Sequence, residues 1–358
     1  MEGMVIEMSF WNNKKVLITG HTGFKGSWLT LWLNKLGADV TGFSLENNTD
    51  ESLFECTNIE NDINSNIGDI RDFESLNKVF QETEPEIVFH LAAQSLVIEG
   101  YKSPLWTYET NVIGTANILE CSRQTQNTTA VVNVTSDKCY ENLELKDGYK
   151  EDDRLGGFDP YSNSKACAEL VASCYQNLYK DNTQHKEIKL TSVRAGNVIG
   201  GGDWSKDRLI PDIVRHVYKG NDLSIRNLGA VRPWQHVIEP LFGYMTCAKK
   251  LFLGDKIDQA YNFGPNRDGT SSVLDLIEII NNTSDKNIIF EKDRAIFHET
   301  NYLHLNNLLA KENIGWEPKW NIQETLSKVL SWYDVYYSGG NIKDFTIKQI
   351  EQYEEIGE

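Results

Sequence analysis

A tyrosine and a lysine four residues apart, Tyr161 and Lys165, could perform proton chemistry on an alcohol. They follow Pro160, which suits the first turn of a helix, and residues at this spacing share one helical face. A free phenol has a pKa of about 10 and is a weak base at neutral pH. A nearby ammonium would stabilise the phenolate, and so would the positively charged nicotinamide ring of an oxidising cofactor. The pair therefore predicts removal of a hydroxyl proton during oxidation. The alternative is an ordinary exposed Tyr–Lys pair.

A second polar group, residues 135–138, follows the apolar run 130–134. Doubly wound sheets bind ligands beyond the carboxyl ends of their strands, so we expect this group at such an edge. Ser136 could donate a hydrogen bond to an oxygen that becomes a carbonyl. Asp137 and Lys138 supply an acid and a base side by side, which suits elimination of water. An exposed ion pair is the alternative for these two residues.

The spacing of Gly20, Gly23 and Gly26 predicts a dinucleotide site between a strand at 15–19 and a helix at 24–36. The first glycine permits a tight turn, the second lets the backbone approach a pyrophosphate, and the third lets the helix pack closely on the strand. The helix N-terminus offers free N–H groups to the phosphates. We therefore expect a bound nicotinamide dinucleotide.

The residues after the second predicted strand, 39–43, bear on the choice of cofactor. Ser44 stands where an acidic residue commonly binds the adenosine ribose, and no Lys or Arg between 44 and 50 could pair with a 2′-phosphate. We therefore favour NAD over NADP. Asp69 is a candidate for the adenine amine, with a simple turn and a helix cap at Asp72 as the alternative.

Strands that alternate with helices predict an α/β fold, a Rossmann-type doubly wound parallel sheet with a smaller mixed α/β C-terminal part. We expect an NAD-binding domain at 10–190 and a substrate domain at 191–358, with some elements crossing between them. The remaining predicted strands are 86–90, 130–134 and 188–193. The remaining predicted helices are 106–124, 160–179, 207–218, 239–253, 272–281, 320–337 and 342–352.

The composition excludes several classes of protein. The 358 residues include 52 acidic and 35 basic ones, a formal net charge of −17, and such a surface repels nucleic acid. No apolar run approaches the ~18 residues of a membrane span, and the first residues lack the pattern of a signal peptide. Six scattered cysteines without metal-site spacing indicate reduced thiols, so we expect a cytoplasmic protein without a metal site.

From about residue 10 to about residue 355, the chain resembles the extended short-chain dehydrogenase/reductase family of nucleotide-sugar enzymes. The matching stretches are GHTGFKGSWL at 20–29, GDIRD at 68–72, PEIVFHLAAQ at 85–94, TNVIGT at 110–115, TSDKCY at 135–140, DPYSNSKACAEL at 159–170, RAGNVIGGGDW at 194–204, RPWQHV at 232–237 and NFGPN at 262–266. Members that act on dTDP-glucose carry Asp-Glu where this chain has Asp137-Lys138. The lysine is similar to that of members that act on CDP-hexoses.

The resemblance implies NAD-dependent dehydration of a nucleotide-hexose, with CDP-glucose the expected substrate and CDP-4-dehydro-6-deoxy-glucose the product. Tyr161 would take the 4-hydroxyl proton while hydride passes from C4 to NAD. Lys138 would then remove the C5 proton, and Asp137 would protonate the departing C6 hydroxyl. Hydride would return from NADH to C6 while C5 is reprotonated, so that the product forms and NAD is regenerated.

The resemblance also implies sets of binding residues and a partner. The expected cofactor residues are Gly20, Thr22, Gly23, Phe24, Lys25, Gly26, Ser44, Asp69, Ile70, Leu91, Ala92, Ala93, Asn111, Tyr161 and Lys165. The expected substrate residues are Gln94, Asn197, Arg208, Arg232, Glu299 and Tyr302, with Arg232 the best candidate for the diphosphate. A homodimer through the two long helices is expected, and its compatible apolar residues are Ile113, Ile118, Leu119, Ala168 and Val171.

Some positions depart from the family's usual pattern. After Ala-Ala-Gln the usual Pro-Leu-Val-Arg and Ser-Tyr are replaced by the segment 95–101, which holds Ile98, Glu99 and Gly100. Asn306 replaces a common Asp. Two alternatives remain: another nucleotide-sugar dehydratase or a 4-epimerase of the same fold, and a non-catalytic module that senses NAD. The acid–base pair argues against an epimerase, and the Tyr–Lys pair argues against a non-catalytic module.

Overall fold

The computed structural model describes residues 8–47, 49–180, 187–266, 269–284, 288–293 and 301–356. Its centre is a parallel sheet of seven strands in the order β11-β6-β5-β4-β1-β2-β3. These strands are β1 Lys15–Thr19, β2 Asp39–Ser44, β3 Asn64–Ile67, β4 Ile87–His90, β5 Ala130–Val134, β6 Lys189–Ala195 and β11 Ala260–Phe263. The predicted doubly wound parallel sheet is confirmed.

Short two-residue strands pair outside the central sheet. They are β7 Val198–Ile199, β8 Ser224–Ile225, β9 Val231–Arg232, β10 Gln235–His236, β12 Ser271–Ser272 and β13 Glu291–Lys292. The pairs are β7 with β10, β9 with β12, and β8 with β13. All of them lie in the second half of the chain, which is the mixed α/β part expected from the sequence.

The helices cover both faces of the sheet. Their bounds are α1 Met8–Trp11, α2 Phe24–Lys35, α3 Leu53–Cys56, α4 Phe73–Thr83, α5 Val97–Lys102, α6 Pro104–Tyr108, α7 Gly114–Gln124, α8 Pro160–Lys180, α9 Leu209–Lys219, α10 Ile238–Leu253, α11 Val273–Thr283, α12 Leu308–Ile314, α13 Ile322–Tyr337 and α14 Ile342–Glu355. Within the described ranges, no helix combines the length and the apolar character that crossing a membrane requires.

Alternate residues of each strand enter two different cores, as the period-two geometry of strands requires. Leu17 of β1 packs with α4, α7 and α8 on one face. Val16 and Ile18 face the opposite core, which contains α2, α10 and the C-terminal helices α13 and α14. This larger core joins residues from both halves of the chain.

The sheet changes direction between β1 and β4. From β1 the chain moves to β2 and β3 on one side, and from β4 it moves to β5, β6 and β11 on the other. The loops that begin at Gly20 and Leu91 therefore diverge at neighbouring carboxyl ends, which is the crevice where such sheets bind ligands. The Leu91 N–H donates to the Thr19 carbonyl at 3.1 Å and holds the two strand ends together.

The helix predicted at 106–124 is interrupted. A π-helical turn, Glu109–Ile113, separates α6 from α7. Such turns are rare and occur frequently at functional sites, because they redirect side chains. Here the turn carries Asn111, which is buried, while Ile113 at its end is exposed.

Candidate functional site

The glycine turn has the geometry that a dinucleotide phosphate requires. Gly20 has φ of 79°, a conformation that favours glycine. A Cβ atom on Gly26 would lie 1.9 Å from the Gly20 carbonyl oxygen, so only glycine allows α2 to start this close to the turn. The N-cap residue of α2 is Gly23, which has no side chain that could bind the free N–H groups of the first turn. The first N–H groups of α2 can therefore bind an anion.

At the end of β2, Ser44 occupies the position where an acidic residue commonly binds the adenosine ribose. Its hydroxyl and that of Thr22 are 2.8 Å apart, and Thr22 also donates to the Leu45 carbonyl at 2.9 Å. Hydroxyl groups therefore line this end of the crevice instead of a carboxylate. They join the loop after β2 to the glycine turn.

Asp69 is paired with Arg71, and this pairing limits what else it can bind. Arg71 donates from Nε and Nη2 to the carboxylate, the latter at 2.6 Å, and the arginine holds the pKa of Asp69 below its usual range. Asp72 accepts from the Ser75 N–H at 3.2 Å and caps α4. The capping alternative is therefore confirmed for Asp72, and an adenine contact of Asp69 stays a prediction.

The Tyr–Lys pair lies on the buried face of α8. Lys165 donates from Nζ to the Val134 carbonyl at 3.3 Å, so the ammonium reaches the end of β5. Burial lowers the pKa of Lys165 to about 8. Burial also raises the pKa of Tyr161 to about 12, and a hydrogen bond with Ser136 opposes this rise only in part. The protein alone therefore keeps the phenol protonated, so a phenolate needs further positive charge at this site.

Asp137 and Lys138 begin a one-turn 3₁₀ helix, Asp137–Cys139, directly after Ser136. The Ser136 hydroxyl donates to Asp137 Oδ1 at 2.9 Å. Asp137 Oδ2 is buried and has no hydrogen-bond partner in the described part of the chain. Burial raises the pKa of Asp137, as a general acid requires. A Cβ atom on Gly196 would lie 3.1 Å from Oδ2, so the glycine preserves the space around this oxygen.

The positive charges of Lys25, Arg208 and Lys165 lie close enough to influence one another. Burial, followed by the charges of Arg208 and Lys165, lowers the pKa of Lys25 to about 7, while Asp137 opposes this shift. Lys25 and Arg232 in turn weakly lower the pKa of Asp137 against the larger effect of burial. The predicted cofactor residue Lys25 therefore lies beside the catalytic groups and extends from the first turn of α2.

The loop after β4 is held to the π-helical turn by side-chain amides. The Asn111 amide donates to the Gln94 carbonyl at 2.9 Å and to Ser164 Oγ at 2.8 Å. The Gln94 amide donates to Thr107 Oγ1 at 2.9 Å, and its Oε1 accepts from the Leu96 N–H at 2.6 Å. Both ends of the Gln94 side chain are therefore bound within the protein. This places Gln94 in the wall of the site.

Leu91, Ala92 and Ala93 continue from β4 beside the glycine turn, since a Cβ atom on Gly20 would lie 2.8 Å from the Ala92 nitrogen. Ile70 lies against the helix start at Gly114, where a Cβ atom would lie 2.5 Å from its Cδ1. Phe24 begins α2, and its ring lies against Gly200, where a Cβ atom would be 3.0 Å from its Cζ. That these residues bind the cofactor stays a prediction.

Two of the predicted substrate residues, Arg232 and Tyr302, are neighbours. Tyr302 forms a parallel β-bridge with Val231, and the Arg232 side chain donates to the Val231 carbonyl at 2.9 Å. The Tyr302 hydroxyl donates to the Lys146 carbonyl at 3.2 Å. Glu299, also expected here, lies outside the described residues.

Asn197 and Arg208 lie on two further loops. The Asn197 carbonyl accepts from the Gln235 N–H at 3.1 Å and joins the loop after β6 to β10. Arg208 donates to Asp203 Oδ2 and to Ser95 Oγ, both at 3.2 Å. Ser95 and Asp203 were not predicted from the sequence. The only sequence signal for Ser95 was its replacement of the usual proline, because a serine supplies an oxygen that proline lacks.

These features define an extended short-chain dehydrogenase/reductase: a doubly wound sheet, a glycine turn at the switch point, and a Tyr–Lys pair beside a strand end. The chain belongs to the family described as GDP-mannose 4,6 dehydratase, whose model matches residues 17–329.

Within this family, the chain is much more similar in sequence to some members than to others. The chain is 46% identical to CDP-glucose 4,6-dehydratase of Salmonella typhimurium over 360 residues, covering 98% of each chain. It is 25% identical to UDP-glucose 4-epimerase of Pisum sativum, covering 90% of this chain and 96% of the epimerase. Among solved structures, dTDP-glucose 4,6-dehydratase of Bacillus anthracis in complex with NAD superposes with a TM-score of 0.76 at 22% identity, covering 92% of this chain and 99% of the other.

Proposed function

We propose that this protein is an NAD-dependent hydro-lyase that converts CDP-glucose into CDP-4-dehydro-6-deoxy-glucose. The observation that carries the proposal is the extent of identity with the Salmonella CDP-glucose 4,6-dehydratase, which spans nearly the whole of both chains. The identity with the pea epimerase is much lower. The adjacent Asp137 and Lys138 supply the acid and base that elimination needs and that epimerisation does not use.

The crevice between β1 and β4 fits NAD. The glycine turn leaves room for a pyrophosphate at the start of α2, and the hydroxyls of Thr22 and Ser44 lie at the ribose end. Bound NAD supplies a hydride acceptor at C4 and a hydride donor at C6. When bound, its cationic ring would add positive charge that favours the phenolate of Tyr161, whose pKa is raised to about 12, chiefly by burial.

We assign the oxidation step to residues of α8 and the end of β5. Tyr161 accepts the 4-hydroxyl proton, and Ser136, which contacts its phenol, holds the same substrate oxygen as it becomes a carbonyl. Lys165 is buried beneath the pair and is anchored to β5, so its ammonium supports the phenolate from behind. Proton removal and hydride loss together then produce the 4-ketone.

We assign the elimination step to the two residues of the 3₁₀ turn. The 4-ketone makes the C5 proton acidic, and Lys138 removes it. Asp137 is 3% exposed and burial raises its pKa, which favours the protonated form that can deliver a proton to the departing C6 hydroxyl. Its Oδ2 is the oxygen without a protein partner among the described residues, and we assign the delivery to this atom.

We further propose that Ser95 and Gly100 shape the hexose pocket. Ser95 accepts a hydrogen bond from Arg208, and Gly100 lies against Tyr161, where a Cβ atom would come within 3.1 Å of the Tyr161 nitrogen. The departures from the usual family pattern are therefore in contact with the expected substrate and catalytic residues. We propose that Arg232 and Tyr302 bind the diphosphate, in line with the division into residues 10–190 for the cofactor and 191–358 for the substrate.

We also propose a homodimer that pairs the two long helical segments. Their outer faces carry apolar side chains in water: Leu105 is 78% exposed, Ile113 53% and Leu170 60%. Such a cluster on neighbouring helices indicates a protein interface. The other apolar residues first considered for this interface take a different place, since Ile118, Leu119 and Ala168 are buried within the subunit. Val171 packs at the margin of the core formed by α4, α7 and α8.

The dimer is tested by mass in solution. One subunit has a mass of 40.8 kDa, so we expect about twice this value at micromolar concentration. Leu105→Glu combined with Leu170→Glu should give the single-subunit mass, because buried charges oppose association. A wild-type mass near 41 kDa would contradict the dimer. We propose a cytoplasmic location because all six cysteines are free thiols, as in reducing compartments.

The function is tested by supplying a panel of CDP-, UDP- and dTDP-hexoses with catalytic NAD. We expect a 4-keto-6-deoxy product, detected by the mass loss of one water, with many turnovers per NAD. CDP-glucose should be preferred by roughly 5- to 150-fold in kcat/KM, because a pocket that accepts the cytosine amine would face a carbonyl in uracil. Equal kcat/KM for the three nucleotides would refute the base preference, and accumulation of NADH in step with product would refute the hydride cycle.

A further inference from the structure

An ion pair between Glu169 and Arg194 lies inside the protein behind the catalytic residues. Arg194 donates from Nε and Nη2 to the two carboxylate oxygens at 2.9 and 2.8 Å. The two side chains are only 4% and 5% exposed. Removing two charges from water costs free energy, and an apolar pair of similar volume is often equally stable. Stability alone is therefore a weak reason for this pair.

The ion pair is attached to both ends of the 3₁₀ turn that carries Asp137 and Lys138. On the N-terminal side, the Thr135 hydroxyl donates to Glu169 Oε1. On the C-terminal side, Arg194 Nη1 donates to the Tyr140 hydroxyl at 2.7 Å, and its guanidinium lies 5.0 Å from the centre of the Tyr140 ring. Thr135, two residues before the turn, and Tyr140, directly after it, are therefore both hydrogen-bonded to a single pair of side chains.

Glu169, the acidic member of the pair, lies on the helix that carries the oxidation residues, whereas Arg194 lies on β6. Glu169 follows Lys165 by four residues on α8 and follows Tyr161 by eight, so the three share one face of the helix. Its negative charge partly offsets the effect of burial on the pKa of Lys165. Glu169 therefore connects α8 to the turn through direct hydrogen bonds.

We propose that the Glu169–Arg194 pair positions the 3₁₀ turn against α8, so that Asp137 and Lys138 reach the same sugar that Tyr161 has oxidised. The inference rests on the proposed dehydratase function. Two reactions at adjacent carbons demand a fixed distance between two sets of catalytic groups, and a displacement of about 1 Å can cost ~10²-fold in rate. Glu169 and Arg194 are positioning residues, since they act through Thr135 and Tyr140.

The attachment extends to the edge of the central sheet. The Tyr140 hydroxyl donates to Asn262 Oδ1 at 2.8 Å, and Asn262 lies on β11. The Asn262 amide donates to the Tyr149 carbonyl at 2.8 Å. The Tyr140 hydroxyl therefore joins the ion pair to a rigid strand. This single oxygen is the best atom to remove in a test.

Tyr140→Phe removes that oxygen and keeps the ring. Tyr149→Phe is the matched control, because the Tyr149 ring stacks on Tyr140 with centroids 5.0 Å apart and is equally buried. Its hydroxyl donates to Asn142 at 2.9 Å and has no hydrogen bond with Arg194 among the described residues. A second pair of variants, Thr135→Val and Thr135→Ser, removes and then restores the hydroxyl that binds Glu169.

Each variant is assayed with CDP-glucose for dehydrated product and, in a single turnover, for the rate at which enzyme-bound NAD is reduced, which reports oxidation alone. We expect Tyr140→Phe and Thr135→Val to slow product formation about tenfold while the rate of NAD reduction stays within about twofold of wild type. Tyr149→Phe and Thr135→Ser should behave as wild type. Equal effects of Tyr140→Phe and Tyr149→Phe, or a parallel loss of NAD reduction and product, would overturn the inference. A wild-type protein without dehydrated product would instead refute the proposed function itself.

Discussion

Gly100 lies directly against the backbone of Tyr161. A Cβ atom at position 100 would lie 3.1 Å from the Tyr161 nitrogen and 3.2 Å from its Cβ. Gly100 is inside helix α5, where alanine is more favourable than glycine by about 1 kcal/mol. Helix propensity and site geometry therefore make opposite demands on this residue. The glycine keeps α5 close to the start of α8.

Gly100→Ala should consequently slow oxidation without lowering stability. We expect the single-turnover rate of NAD reduction to fall by roughly three- to tenfold, because the catalytic phenol is displaced. The melting temperature should stay equal or rise. Gly229→Ala is the control, since the nearest atom to its added Cβ, Asn227 Oδ1, is 3.9 Å away. An unchanged rate of NAD reduction in Gly100→Ala would show that this contact does not position Tyr161.

Asp137→Asn should separate the two halves of the reaction. The amide keeps the shape of the side chain but has no proton to give to the departing hydroxyl, so we expect dehydration to fall by about 10²- to 10⁴-fold. Because Tyr161 and Lys165 are untouched, reduction of enzyme-bound NAD by the substrate should persist. Lys138→Met should show the same separation. Full dehydration by both variants would remove the 3₁₀ turn from the mechanism.

Cofactor affinity should depend on the protonation of Lys25. Burial and the charges of Arg208 and Lys165 lower the pKa of Lys25 to about 7, so this lysine loses its charge as the pH rises through neutrality. We expect the ammonium to repel the cationic ring that bound NAD would bring to this end of the site. We therefore expect affinity for NAD to increase by up to about tenfold between pH 6 and pH 8.

Lys25→Met should bind NAD more tightly than wild type at pH 6 and should lose most of this pH dependence. Titration calorimetry at the two pH values measures both effects. Lys78→Met, a change at an exposed lysine of α4, is the control. Tighter binding of NAD by wild type at pH 6 than at pH 8 would indicate that the ammonium attracts the pyrophosphate instead.

Glu239 should make the folded protein less stable as the pH rises. Its carboxylate accepts hydrogen bonds from the N–H groups of Lys319 and Trp320 and from the Tyr353 hydroxyl, at 2.9, 2.7 and 2.6 Å. Burial nevertheless raises the pKa of Glu239 to about 7. The unfolded chain releases this proton near pH ~4.3, so the folded state binds more protons between the two values. Stability therefore falls over that range, by up to about 4 kcal/mol.

Glu239→Gln keeps the shape of the side chain and removes its titration. Melting temperatures measured at pH 5 and pH 8 should fall less with pH in the variant than in wild type. The difference between the two proteins isolates Glu239, since every other titrating group is shared. Parallel pH profiles would contradict the assignment of this proton to Glu239.

Local spacing was enough to predict the parts of the fold that depend on nearby residues. β1 and β5 have the predicted bounds, because runs of apolar β-formers are followed by glycine or small polar residues. β3 was missed, since Asn64–Ile67 is polar, only partly buried and at the edge of the sheet. The π-helical turn was also missed. Its cause is the contact of Asn111 with Gln94 and Ser164, which no local pattern encodes.

In the candidate site too, features set by local spacing were predicted and features set by distant contacts were missed. The four-residue spacing placed Tyr161 and Lys165 on one buried face, and the position after an apolar run placed Ser136 at a strand end beside them. The contact between Arg208 and Ser95 joins residues 113 positions apart, so it emerges only when the two halves of the chain pack together. Charges that act through space, such as that of Arg208 on Lys25, are likewise invisible to spacing.

The π-helical turn determines which side chains of the α6–α7 segment face the protein interior and which face solvent. Leu105 and Ile113 are eight residues apart, which in a continuous α-helix would separate them by about 80° around the axis. The turn accommodates one extra residue, so the effective separation is seven and the two side chains differ by only about 20°. The inserted residue thus turns the Asn111 side chain towards Gln94. It also places the exposed side chains of Leu105 and Ile113 on the same side of the segment. Deleting a single residue from Glu109–Ile113 would rotate α6 relative to α7 and disturb the catalytic crevice and the subunit surface together.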